Sequence, residues 1–278
     1  MNIRLRSALF TPGTHTERFA KAAEIGADAL IIDLEDAVAP ADKVGARQSA
    51  LQALASPATS MVRILRINGL DTRQGLEDIL AMLDSGTHPD YVLLPKTESS
   101  THLVLLDRLL GQAGSSVKLI GLIESARGVR DLSEIAASTP RLEALMLGAA
   151  DLAADYGCGP EAPNLTAARA QLVQACVIAG IAAIDSPYFD LKDSAGMLAA
   201  AMQAADMGFA GKAAVHPSQV KAINDAFTPT AEAVAHARAV LAENRAGVGK
   251  VDGQMVDEAV ARKARRVLAA IGETTTLI

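Results

Sequence analysis

Tryptophan is absent from the sequence, and aromatic residues make up only 3% of its 278 residues. Side chains on which nucleic-acid bases could stack are therefore scarce. The net charge is −6 and no basic cluster occurs, which also argues against a nucleic-acid partner. No apolar run approaches the roughly 20 residues that a membrane-spanning helix needs. We therefore expect neither nucleic acid nor a membrane as a partner.

Cysteine is also rare, since Cys158 and Cys176 are too few for a disulfide framework. The N-terminal residues, interrupted by Arg4 and Arg6, show no signal-peptide pattern. Both observations predict a protein of the reducing cytoplasm. Half of the residues are hydrophobic, which is enough for one large core or two modest ones.

What the sequence does contain is a regular alternation of short apolar runs and amphipathic segments. Short apolar runs that end in turn residues are typical of buried parallel strands. We predict strands at Ser7–Thr11, Ala29–Leu34, Val62–Ile67, Tyr91–Pro95, Lys118–Glu124, Ala144–Leu147, Ala182–Ser186 and Ala213–His216. Helices are predicted between them at His15–Ile25, Lys43–Ala55, Gly75–Asp84, Thr101–Leu110, Leu132–Ser138, Thr166–Ala179 and Leu191–Met207.

Eight such units predict an α/β fold, the closed (β/α)8 TIM barrel. The alternative is an open doubly wound sheet, but the TPGTHTERF turn lacks the glycine pattern of its phosphate loop. We assign residues 1–226 to the barrel and 227–278 to a C-terminal helical extension. Helical stretches at Thr230–Arg245 and Met255–Ile271 would form that extension, and we expect it to pack on a neighbouring subunit.

One predicted strand ends in the carboxylate Glu124, and the apolar stretch Leu142–Asp151, which contains another predicted strand, ends in Asp151. Neighbouring parallel strands would bring both acids to one rim of the sheet. Carboxylates held close together repel, so one takes up a proton or the pair holds a cation, which we predict to be Mg²⁺. The alternative is that each acid caps the helix after its strand.

The active site of such a barrel lies at the C-terminal ends of its strands. Most of the predicted strands end in polar residues, namely Asp33, Glu35, Asp36, Arg66, Asn68, Lys96, Glu124, Asp151, Ser186, Tyr188 and His216. A Mg²⁺ ion with two carboxylate ligands keeps positions free for a bidentate 2-oxo acid. Arg66 would stabilise an enolate or carbonyl oxygen beside it. These groups are suited to making or breaking a carbon–carbon bond next to a carbonyl.

The motifs SALFTPG, DALIIDLEDAV, RIN, LLPK, LIESARG, GAADL and GKAAVHPSQV, in this order, resemble those of the citrate lyase β-subunit family. That family includes malyl-CoA and citramalyl-CoA lyases, within the HpcH/HpaI aldolase superfamily. The resemblance extends from Arg6 to about Val220 and resumes at VDGQMVD. It implies a TIM barrel, Mg²⁺, a thioester of coenzyme A or an acyl carrier protein, and a homotrimer or hexamer.

Carried over by motif, the resemblance makes Glu124 and Asp151 the metal ligands. Arg66 would bind the substrate and steady its enolate, so Arg66 and Glu124 are expected to act in both binding and catalysis. Asp257 matches an acid/base that a neighbouring chain contributes in related lyases. Its alternative is a place in the first turn of a helix, where the dipole favours a carboxylate.

Four further residues are candidate substrate contacts. Glu35 and Asp36 would lie around the metal and its waters, as the resemblance implies. Lys96 either meets the substrate or forms an ordinary salt bridge, and Pro187 follows the seventh predicted strand. His216 is expected to be structural, and Lys43 and Arg47, four residues apart on one helix face, are expected to be solvated.

The sequence thus predicts a Mg²⁺-dependent lyase that cleaves a 3-hydroxyacyl thioester such as malyl-, citramalyl- or citryl-CoA. The alternatives are a class II aldolase on free 2-oxo acids with His15 as base, a malyl thioester hydrolase, and a citrate lyase β subunit that acts only in a larger complex.

Overall fold

The computed structural model describes residues 5–56, 61–160, 162–244, 249–251 and 254–273. Its centre is a closed barrel in which each parallel strand pairs with the next along the chain and the last pairs with the first. The strands are β1 (Ser7–Pro12), β2 (Ala29–Asp33), β3 (Val62–Arg66), β4 (Tyr91–Leu94), β5 (Lys118–Ile123), β6 (Leu142–Leu147), β7 (Ala182–Asp185) and β8 (Gly211–Ala214). The predicted (β/α)8 TIM barrel is confirmed.

Helices cover the outside of the barrel. They are α1 (Phe19–Glu24), α2 (Lys43–Leu54), α3 (Arg73–Ser85), α4 (Ser100–Gln112), α5 (Ala126–Arg130), α6 (Leu132–Ala136), α7 (Ala149–Tyr156), α8 (Pro163–Ala179), α9 (Ser194–Met207) and α10 (Pro217–Ala226). Across the described residues, no helix has both the length and the apolar character that crossing a bilayer requires.

The barrel is filled by alternate residues of its strands, because successive strand side chains point to opposite faces. The interior holds a cluster that includes Ala8, Ala29, Ile31, Ile64, Leu93, Ile120, Leu122, Met146 and Ile184. Intervening residues such as Leu30 and Ile32 pack outward against the helices. The barrel is therefore closed by packed side chains and is not a channel.

The C-terminal extension has a hydrophobic core of its own. It consists of α11 (Ala231–Asn244), an antiparallel hairpin of β9 (Gly249–Val251) and β10 (Gln254–Val256), and α12 (Glu258–Ala270). Ala237 and Val240 of α11 pack against Ala264 and Leu268 of α12. The apolar face of the last helix is thus covered within the same chain. Residues 245–248, 252–253 and 274–278 of the predicted extension lie outside the described residues.

Candidate active site

Three charged side chains stand at the C-terminal ends of barrel strands. Asp33 ends β2, Arg66 ends β3, and Glu124 follows β5 directly. Each comes two residues after an apolar side chain of the barrel interior, namely Ile31, Ile64 and Leu122. Period-two alternation therefore turns all three toward the barrel axis, above the apolar filling. They form the floor of the candidate active site.

The guanidinium group of Arg66 is clamped from several sides. Its Nε donates to Oδ1 of Asp33 at 2.7 Å and its Nη2 donates to Oδ2 at 2.5 Å, so the pair is bidentate. Nη1 lies 3.1 Å from Oε2 of Glu35 and 3.6 Å from Oδ2 of Asp36. The guanidinium carbon also lies 5.0 Å from the ring centroid of Phe10. These contacts fix both the position and the plane of the guanidinium.

Burial acts to lower the pKa of Arg66, but the hydrogen bonds and negative charge of Asp33 act to raise it. The net pKa lies above the ordinary value, so the group is permanently charged. Asp33 was predicted only as a strand end, with no role in the site. Its function depends on the register, since Asp33 and Arg66 are neighbours across β2 and β3.

Glu124 is buried at the mouth of the barrel, with 3% of its surface exposed. Its Oε1 accepts a hydrogen bond from the backbone N–H of Lys96 at 2.7 Å. The pKa of Glu124 is raised to about 8, mainly by burial and also by the negative charges of Glu35 and Asp151, against the opposing hydrogen bond from Lys96. The side chain passes so close to Gly148 that a Cβ there would lie 2.6 Å from Oε2.

Lys96 connects two of the site's carboxylates. Its φ of 46° lies in the left-handed region, which is uncommon for a residue other than glycine and directs the N–H to Glu124. The ammonium of Lys96 donates to Oε1 of Glu35 at 2.5 Å. Oε2 of Glu35 is buried and has no well-aligned hydrogen bond, although Arg66 is near. Glu35 therefore joins the two cations of the site.

The predicted metal ligand Asp151 is not at a strand end, contrary to expectation. It lies in the first turn of α7, four residues beyond β6, and its side chain is exposed. Its charge nevertheless contributes to the raised pKa of Glu124. Neither acid is a helix cap, because Ser125 caps α5 and Gly148 occupies the N-cap position of α7.

Lys43 and Arg47 were expected on a solvated helix face, and this is wrong. The ammonium of Lys43 is half-buried and donates to the carbonyl oxygens of Leu34 and Glu35. Arg47 is buried and its Nε donates to Oδ1 of Asp78 at 2.6 Å. The spacing of two cations on one predicted helix could not indicate the partners that cover them.

Two further predicted site residues come from other elements. Pro187 is half-buried beyond β7. Asp257 is exposed and caps α12, where its Oδ1 accepts the N–H of Val260 at 2.9 Å. His216 is a structural residue as expected, because its Nδ1 caps α10 by accepting the N–H of Ser218.

Comparison with known proteins agrees with this geometry. A model of the HpcH/HpaI aldolase/citrate lyase family matches residues 6–217. L-malyl-CoA/β-methylmalyl-CoA lyase from Rhodobacter capsulatus is 34% identical to the chain, covering 95% of it and 93% of the relative. Citrate lyase subunit β from Escherichia coli K12 is 35% identical, covering 95% and 92%.

A solved structure is similar over nearly the whole chain. It is that of CitE from Mycobacterium tuberculosis in complex with magnesium, acetoacetate and coenzyme A, with a TM-score of 0.83 and 34% identity. The comparison covers 98% of this chain and 100% of that one. The chain therefore belongs to the HpcH/HpaI aldolase/citrate lyase family.

Proposed function

We propose that the protein is a Mg²⁺-dependent carbon–carbon lyase that cleaves a 3-hydroxyacyl-coenzyme A thioester into a 2-oxo acid and an acyl-coenzyme A. The observation that carries the proposal is the permanently charged Arg66 held rigidly near the buried Glu124 at the barrel mouth. Relatives named malyl-CoA lyase and citrate lyase subunit support this reaction class.

Glu124 and Asp151 would hold the Mg²⁺ ion, which when bound supplies positive charge to the oxygens of the 2-oxo acid. The residues fit such an ion, because a divalent cation would favour the charged form of a buried carboxyl that other carboxylates surround. Within the described ranges, no three His, Cys, Asp or Glu side chains gather into a metal-binding set. The remaining positions would therefore be filled by water and substrate oxygens.

Cleavage of the substrate begins when a base takes the proton of the 3-hydroxyl group. The oxygen then forms the carbonyl of the 2-oxo acid while the carbon–carbon bond breaks, and its electron pair becomes the thioester enolate. Arg66 donates hydrogen bonds to the oxygen on which this negative charge develops. The protonated base returns its proton to the α-carbon, which yields the acyl thioester and restores the base.

The other predicted contacts complete the proposed site. Glu35 and Asp36 would bind water around the metal, and Lys96, whose side chain is 49% exposed, would meet an anionic part of the substrate at the rim. Pro187 would line the acyl chain. The position of Lys96 beside Glu35 supports a rim cation whose charge is only partly neutralised.

Asp257 is proposed as the acid/base, contributed by a neighbouring subunit of a homotrimer or hexamer. Its exposure and its place in an extension with a separate core support a site shared between chains. Cytoplasmic location remains a prediction, supported by the two cysteines, which form no disulfide.

A second candidate is a citrate lyase β chain that acts only inside a larger complex, which the identity to such a subunit supports. The hypothesis of an aldolase on free 2-oxo acids gains no support from His15. The side chain of His15 is 43% exposed and pairs with Glu17 rather than with Arg66 or its acidic partners.

The decisive experiment offers malyl-, citramalyl-, citryl- and β-methylmalyl-CoA to the purified protein with Mg²⁺ and identifies the products. We expect a 2-oxo acid and an acyl-coenzyme A from at least one ester. Release of free coenzyme A without a 2-oxo acid would instead indicate hydrolysis. An acyl carrier protein thioester is offered in parallel, and activity on it alone would indicate the citrate lyase subunit.

A further inference from the structure

Lys43 uses every hydrogen-bond donor of its ammonium group inside the protein. Nζ donates to the carbonyl oxygen of Leu34 at 2.8 Å, to that of Glu35 at 2.7 Å and to Oδ1 of Asn68 at 2.7 Å. An ammonium group has three donors, so this set is complete. The head of the side chain is thereby fixed between the end of β3 and the turn that follows β2.

That turn determines where Arg66 lies. Its backbone N–H groups at Glu35 and Ala37 donate to the carboxylate of Asp33 at 2.8 and 3.2 Å. Asp33 in turn holds the guanidinium of Arg66 through two hydrogen bonds. The side chains of Glu35 and Asp36, on the same turn, face the remaining nitrogen of that group. A shift of the turn therefore shifts every acidic partner of Arg66.

The opposite side of Lys43 is held by a buried ion pair. Both the backbone N–H and Nδ2 of Asn68 donate to Oδ2 of Asp78, at 2.9 and 2.6 Å. Oδ1 of Asp78 accepts from Nε of Arg47 at 2.6 Å. Asp78 is 1% exposed and Arg47 is 8% exposed, so water cannot replace these bonds. Lys43 is the link between this rigid network and the acidic turn.

We infer that Lys43 is a positioning residue for Arg66, which acts by fixing the turn of residues 34–36 on the buried Arg47–Asp78–Asn68 network. This inference rests on the proposed lyase function. A displacement of about 1 Å at a catalytic group can lower a rate by about 10²-fold, so a residue that never touches the substrate can control turnover. Positioning residues behind a site typically contribute about 10- to 100-fold.

The test is the variant Lys43→Ala, compared with Lys221→Ala as a matched control. The side chain of Lys221 is 85% exposed and pairs with Asp225 on the same helix. We expect Lys43→Ala to lose about 10- to 100-fold in kcat while KM for the thioester changes less than about threefold. The control should keep the wild-type kcat. A folding defect alone would lower the active fraction but could not be reversed by a small amine.

Added propylammonium should restore part of the kcat of Lys43→Ala. It matches the atoms that the substitution removes and supplies the missing N–H donors in the half-buried space that the lysine side chain occupied. Propyltrimethylammonium, which has no N–H, should not restore it. If Lys43→Ala does not fold, Lys43→Gln replaces it with the same expected loss. A kcat above half of wild type in the variant, or equal effects of the two ammonium ions, would overturn this inference but not the proposed function. A wild type that cleaves no thioester would overturn the proposed function and this inference with it.

Discussion

At the scale of single residues, the site holds several charges where water hardly reaches. Glu35, Arg66 and Glu124 are 6%, 7% and 3% exposed. Burying a charge is costly unless it is paired, and Arg66 meets this condition through Asp33. Glu124 accepts a hydrogen bond from the backbone N–H of Lys96, which does not offset its burial, so its pKa is raised. The arrangement keeps one cation permanently charged and leaves one carboxylate in need of a cation.

The clamp on Arg66 predicts the effect of replacing it by lysine. Arg66→Lys keeps the charge but loses the bidentate geometry toward Asp33, and a single ammonium cannot reproduce the planar fork. We expect kcat/KM to fall by about 10²–10³, the typical cost of losing one oxyanion donor. Steady-state kinetics on the active thioester will measure it. Arg73→Lys, at an 86% exposed side chain, is the control, and a less than tenfold loss for Arg66→Lys would show a structural role.

The raised pKa of Glu124 predicts how Mg²⁺ binding depends on pH. The pKa of Glu124 is about 4.3 in the unfolded chain and about 8 in the folded one, so its protonated form stabilises the fold at low pH. That stabilisation is lost as the pH rises through about 8. At pH 7 the metal-free group holds a proton, so Mg²⁺ binding should release close to one proton.

Calorimetry in two buffers of different ionisation enthalpy will measure this proton. Glu124→Gln should release none and bind Mg²⁺ more weakly, and Asp151→Asn should also bind it weakly. Identical heats in both buffers, or wild-type affinity in both variants, would exclude the proposed ligand pair.

The sequence was sufficient to predict which types of residue lie at this site, but not which of them contact each other. Arg66, Glu124 and Glu35 follow strands that are recognisable by their apolar runs. The contact of Asp33 with Arg66 depends on the register of two strands, and residues separated in sequence by 33 positions carry no local signal of it. The contacts of Lys43 likewise join residues that are apart in the sequence, such as Asn68, which lies 25 positions away.

At the scale of elements, the strands were predictable because buried parallel strands are almost purely apolar. The helices α5, α7 and α10 were not predicted. The first two have only five and eight residues, which is short for a helical period to show, although the equally short α6 was included in a longer predicted helix. Asp151 was placed at a strand end because α7 was missed. The hairpin of β9 and β10 was missed because each strand has only three residues.

The junction between β6 and α7 predicts a specific effect for Gly148→Ala. The added Cβ would lie 2.6 Å from both Cβ and Oε2 of Glu124, so the carboxylate must move. We expect Mg²⁺ affinity and kcat to fall while the protein remains folded. In the control Gly111→Ala, the Cβ meets nothing within 4 Å in an exposed helix, and stability should rise by about 0.5–1 kcal/mol. Unchanged Mg²⁺ affinity in Gly148→Ala would show that Glu124 tolerates the shift.

At the scale of the whole molecule, the barrel and the C-terminal extension have separate hydrophobic cores, and their division into two domains stays a prediction. α10 ends at Ala226, next to the boundary that we predicted between residues 226 and 227. Asp257 is exposed on the extension, and its Oδ1 caps α12. The proposal that Asp257 serves a neighbour's barrel follows from this division.

Mixing inactive chains tests that proposal. Asp257→Ala and Glu124→Gln chains should each be inactive, and exchange of subunits should restore activity wherever an intact barrel meets an intact extension. Mass measurement of the mixed oligomers will confirm that exchange has occurred. Confirmed exchange without activity would mean that Asp257 serves its own barrel or none.

The filled interior of the barrel also bears on the order in which the products of the proposed reaction would leave. Packed apolar side chains lie beneath Arg66 and Glu124. A 2-oxo acid held at the buried Glu124 would lie deeper than an acyl thioester whose carrier extends past the half-exposed Lys96. The thioester would then leave first. We expect the 2-oxo acid to inhibit competitively against the substrate and the acyl thioester to inhibit in a mixed pattern, as in an ordered release that ends with the deeper molecule.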